Sequence, residues 1–65
     1  MKARELIRLL EDNGWVQARQ RGSHRQFIHA VKPGRVTVAG NLGDEVRPGT
    51  LASALRQAGL KGPGR

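Results

Sequence analysis

The chain has 65 residues, no cysteine, and twelve Lys and Arg against five Asp and Glu, for a net charge of +7. A chain this short buries only about 60% of the surface it exposes when unfolded, so every element must share one thin core in a single domain. Without cysteine neither a disulfide nor a thiolate metal site can supplement that core, and a cytosolic address becomes the default.

The two histidines and five carboxylates show no HxxxH, HxxE or CxxC spacing that would set two ligands on one face, so no metal and no cofactor is assigned. No apolar run approaches the length of a membrane span, and the opening MKARELIRLL carries charges where a signal peptide needs an uninterrupted apolar stretch. The positive charge is unevenly spread. Between Asn13 and Gly43 stand Arg19, Arg21, Arg25, Lys32 and Arg35, with no acidic residue among them. Such a block points to a polyanionic partner, because Lys and Arg gain by displacing counterions condensed on phosphates. Solvated charge that keeps a small domain soluble is the plainer alternative.

From the N-terminus, Ala3, Leu6, Ile7 and Leu10 form the i, i+3, i+4, i+7 stripe of an amphipathic helix, which Asn13-Gly14 ends. WVQARQ (Trp15 to Gln20) and HRQFIH (His24 to His29) suit strands, and Gly22-Ser23 between them fits a two-residue type II′ turn that sets Arg21 opposite His24. After a second turn at VKPG, RVTVA (Arg35 to Ala39) reads as a third strand with Val36 and Val38 on one face. GNLGDEV is a loop. A second helix opens at Pro48, or slightly later with Thr50 as its cap, carries Leu51, Ala54, Leu55 and Ala58 inward, and stops at Gly59-Leu60.

The order is helix, three strands, helix: an α+β domain over residues 1–60, with residues 61–65 as a flexible tail. Two helices with one apolar stripe each cover one face of a three-stranded antiparallel sheet and leave the other open. Phe27, Val36 and Val38 point into that core, and period-two alternation sends Gln26, Ile28 and His24 to the open face. His29, five residues on from His24, falls on the opposite face. Trp15 and Phe27 are read as core residues rather than as stacking platforms for bases.

The segment RGSHRQF, Arg21 to Phe27, therefore places an imidazole in solvent among arginines. A neutral imidazole can take the proton of a ribose 2′-OH so that the oxygen attacks the adjacent phosphorus. Arginines would hold the phosphate and stabilise its growing charge. Arg21 and Arg25, which flank His24 in sequence, are the first candidates for such contacts, followed by Arg19 and Arg35. Against this stands an ordinary hairpin histidine without a task, with Gly22 and Ser23 serving only the turn.

Three separated segments carry a resemblance that bears on this choice: ELIRLLEDNGWVQARQRGSHRQF, VTVAGN and RPGTLASALRQAGL, agreeing in order and spacing over roughly Lys2 to Leu60. In them the chain resembles the HicA-type toxins, small mRNA interferases of HicA–HicB toxin–antitoxin pairs. The resemblance implies a fold similar to double-stranded-RNA-binding domains, α-β-β-β-α, and cleavage of mRNA in the bacterial cytoplasm. It implies that Gly22 and Ser23 form the site's turn, that His24 is the catalytic residue, and that a HicB-type antitoxin occludes it in a hetero-oligomeric complex. Many members also carry a second histidine after the third strand, where this chain has Gly40 and Asn41. Two other readings stand beside it: a non-catalytic RNA-binding module of the same fold, and an interaction protein whose basic surface meets an acidic partner.

Overall fold

The computed structural model describes residues 1–60, so the expected tail at 61–65 lies outside the described residues. The elements come in the expected order: α1 (Ala3–Asp12), β1 (Trp15–Arg21), β2 (His24–His29), β3 (Val36–Val38) and α2 (Pro48–Gln57). The strands form one antiparallel sheet in the order β1-β2-β3. No helix among the described residues is long and apolar enough to cross a membrane.

Helix α1 buries Ala3, Leu6 and Leu10 of the predicted stripe, while Ile7 is half-buried against the same core. Its first backbone N–H groups have no backbone acceptor inside the helix and find other partners. Lys2 N–H donates to Glu5 Oε1 at 2.7 Å, and Ala3 and Arg4 N–H donate to the carbonyls of Asp44 (2.9 Å) and Leu42 (3.0 Å). The β3–α2 loop is thereby tied to the start of α1. At the other end Asn13 Nδ2 donates to the Leu9 carbonyl at 2.8 Å, and Gly14 turns the chain into β1 with φ 90°, a conformation a side chain would strain.

Of the two starts read for α2, the structure takes Pro48, whose missing N–H is not needed in the first turn. The helix closes as its sequence suggests, with Leu60 N–H donating to the Leu55 carbonyl (2.8 Å) and Gly59 N–H to that of Arg56 (3.1 Å). Lys32 Nζ donates to the Ala58 carbonyl at 2.9 Å, a positive group at the negative end of the helix dipole.

One apolar cluster joins α1 (Ala3, Leu6, Leu10), the sheet (Trp15, Phe27, Val36, Val38) and α2 with its C-cap (Leu51, Ala54, Leu55, Ala58). Both helices thus pack on the same sheet face. The opposite face is uncovered, and the paired Val16 and Ile28 on it are 57% and 40% exposed. This is an α+β fold of the double-stranded-RNA-binding type. Strand β3 is shorter than RVTVA: Arg35 turns its guanidinium across to Gln26, and beyond Ala39 the chain bends at Gly40, whose carbonyl is held by Arg25.

Trp15 and Phe27 are fully buried, as their size predicts. Trp15 meets the edge of the His29 ring at a centroid distance of 5.2 Å, and its Nε1 has no hydrogen-bond partner among the described residues. His29 belongs to this frame. Its Nδ1 accepts from the backbone N–H groups of Val31 (3.0 Å) and Lys32 (3.1 Å), which leaves Nε2 to donate to the Asn13 carbonyl at 3.0 Å.

Candidate active site

The site begins at the hairpin. Gly22 has φ 58°, and no non-glycine residue among those described has positive φ, so only the first central residue of the Gly22-Ser23 turn is left-handed. That is the type II′ geometry, whose twist matches the flanking strands, and it sets Arg21 opposite His24. The Gly22 carbonyl accepts a bond from Gln20 Nε2 at 3.1 Å.

The turn and the core require registers one residue apart. A regular ladder carried back from Arg21 and His24 would put Val16 opposite His29, sending Val16 inward and Trp15 to the open face. Instead Trp15 pairs with His29 and Gln17 with Phe27, while Arg19 pairs with Gln26. Ala18 is the extra residue, a β-bulge that lets Trp15 enter the core and still turns Arg19 and Arg21 outward beside His24.

Cross-strand partners share a face. The open face therefore carries Arg21 with His24, Arg19 with Gln26, and Thr37 of β3 on the other side of Gln26. Together these five residues line a depression of ≈ 240 Å³. Each brings a hydrogen-bond donor, no carboxylate lines it, and His24, Arg19 and Arg21 are all exposed to solvent. A wider depression of ≈ 530 Å³ at Met1, Glu45, Pro48 and Leu51 contains no imidazole and is bordered by a carboxylate, so chemistry rather than size distinguishes the two. Guanidinium groups and an amide around an imidazole suit a phosphate oxygen, with the imidazole free to exchange a proton.

The structure separates the arginines expected to act together. Arg19 and Arg21 reach the depression. Arg25, adjacent to His24 in sequence, is half-buried on the helix-covered side, where Nη1 donates to the Gly40 carbonyl at 3.2 Å. Arg35 does not line the depression but a neighbouring one against α2, with Nη1 donating to Gln26 Oε1 at 3.2 Å. Asn41 closes a turn instead of entering the depression: its N–H donates to Asp44 Oδ2 and its carbonyl accepts from Asp44 N–H, both at 3.0 Å. Glu45 pairs with the Met1 amino group at 3.0 Å, so Asp44 and Glu45 are both occupied in loop structure. Among the described residues no three His, Cys, Asp or Glu side chains gather as a metal site would require. Gln26 and Thr37 are additions to the residues named from sequence. Alternation signals both, since each is flanked by core residues or by positions opposite them.

The family model described as the HicA toxin of bacterial toxin–antitoxin systems matches residues 3–60, all five elements and the whole of this site. A search of curated proteins returns no match. The chain belongs to the HicA toxin family, and so is the toxin of a bacterial toxin–antitoxin pair.

Proposed function

We propose that this toxin is an endoribonuclease that cleaves mRNA, with His24 as general base and with Arg19 and Arg21 holding the phosphate. One observation carries the reading: the type II′ turn and the Ala18 bulge bring an exposed imidazole and two guanidinium groups into one depression free of carboxylates. His24 takes the 2′-OH proton, the 2′-oxygen attacks phosphorus, and the bond to the 5′-oxygen breaks. The products are a 2′,3′-cyclic phosphate and a 5′-hydroxyl, the leaving oxygen taking its proton from water. This chemistry requires no metal. Gly22 and Ser23 act through the turn. Arg35 reaches the site only through Gln26, and Arg25 serves the Gly40 turn rather than the phosphate. The antitoxin is of the HicB type and, in the bacterial cytoplasm, silences the toxin by covering the open sheet face in a hetero-oligomeric complex.

Expression of the chain without its antitoxin, beside His24→Ala, tests the reading. Growth arrest with new transcript ends of this chemistry, lost in His24→Ala while RNA binding is retained, is the expected result. Equal arrest by both forms, with transcripts intact, would turn the protein into a non-catalytic RNA-binding module.

A further inference from the structure

Gln26 lies on the central strand of the open face, paired with Arg19 on one side and Thr37 on the other, and is one of the residues lining the His24 depression. A side-chain amide carries one acceptor and two donors, whereas arginine only donates. The 3.2 Å bond from Arg35 Nη1 therefore fixes which way the amide faces: Oε1 is taken by Arg35 and the NH2 group is left over. Among the described residues that NH2 has no hydrogen-bond partner, and in this half-buried residue it stays open to solvent.

We propose that Gln26 is a further catalytic residue, donating from Nε2 to a non-bridging oxygen of the scissile phosphate, and that Arg35 is the positioning residue that keeps this donor facing the site. The inference rests on the reading of His24 as a ribonuclease base. As the 2′-oxygen adds, the phosphorus becomes five-coordinate and its non-bridging oxygens gain negative charge. A donor already aimed at that position stabilises the transition state more than the ground state. The two guanidinium groups supply charge on long, exposed side chains, while the amide supplies a dipole on a shorter, half-buried side chain held by Arg35. Arg35 never contacts the RNA in this scheme; it acts through Oε1.

Gln26→Glu separates this role from a structural one. The variant keeps the shape and gives Arg35 an ionic partner, so its thermal midpoint should equal or exceed that of the parent. It replaces the donor by an anionic oxygen. With RNA at saturating concentration, kcat should fall about 100-fold, the scale seen on removing one transition-state donor. Gln26→Leu should fall comparably. Arg35→Ala should lower kcat less, because the amide can still flip to the productive orientation, and should have no further effect in the Gln26→Leu background. Arg35→Lys, which still donates to Oε1, should restore most of the activity. If the parent chain cleaves RNA, His24→Ala does not, and Gln26→Glu keeps the parental kcat, this inference is overturned while the ribonuclease reading stands. If the parent chain itself fails to cleave RNA, both fall.

Discussion

Arg21 and Arg25 sit four residues apart on either side of the same turn, yet the sheet sends one to the depression and the other to the helix-covered side. Their substitution should give opposite signatures in RNA binding. The perturbation is Arg21→Ala or Arg25→Ala, each in a His24→Ala background so that the RNA survives the measurement. Each phosphate contact on a single strand contributes about 0.7 to the slope of log K against log salt. Arg21→Ala should lower that slope by about 0.7, so that the parent's affinity advantage over it shrinks about 2.6-fold between about 50 and about 200 mM salt. Arg19→Ala should match it, and the double variant should lose about 1.4, or about 7-fold over the same range. Arg25→Ala should leave the slope unchanged. Its loss is the 3.2 Å bond to the Gly40 carbonyl, a contribution of roughly 1 kcal/mol that appears as a fall of about 4–8 °C in thermal midpoint. Fluorescence anisotropy with a short labelled RNA across a salt series reads the slopes, and a thermal melt reads stability. An Arg25→Ala slope that falls as far as that of Arg21→Ala would refute the division of the two arginines between the faces.

Other expectations concern the frame. Gly14→Ala combines a φ of 90° with a Cβ 2.7 Å from His29 Nε2, so it should cost more than about 2 kcal/mol in a denaturant melt; a neutral effect would mean the Gly14–His29 contact is not as tight as described. Gly49→Ala meets open space in the first turn of α2 and should stabilise by up to about 1 kcal/mol. Phe27→Ala, at a fully buried centre of the sheet, should cost about 3–5 kcal/mol, enough to unfold much of a domain this small. Nitrogen NMR should find the His29 proton on Nε2, since Nδ1 accepts from two backbone N–H groups; a proton on Nδ1 would contradict the bonding that fixes the β2 end.

The fold is legible in the sequence because its signals are local and strong. The stripe from Ala3 to Leu10, the Asn13-Gly14 stop, the Gly22-Ser23 turn and the Gly59-Leu60 closure each fix an element by short-range stereochemistry. The position of His24 follows from two of them, turn type and alternation. Arg21 follows with it, across the turn. The face of Arg19 does not: it depends on where one extra residue is inserted into β1, and nothing within WVQARQR marks Ala18 rather than a neighbour as the bulge. The bulge is settled by a long-range competition between the Trp15 side chain, which needs the core, and the turn, which fixes Arg21 opposite His24. Arg25 is adjacent to His24 in the chain, but in a strand adjacency guarantees opposite faces. Gln26 shows the same limit from the other side: alternation places it outward, while the Arg35 contact that orients its amide comes from another strand's approach.

The most direct test uses a short RNA that the purified chain cuts, remade with a single 2′-deoxynucleotide on the 5′ side of the cut. If His24 activates the neighbouring 2′-hydroxyl, cleavage at that bond should vanish, while the unmodified strand should yield a 2′,3′-cyclic phosphate and a 5′-hydroxyl with the parent chain and stay whole with His24→Ala. Cutting of the deoxy-substituted bond at an undiminished rate would contradict the mechanism.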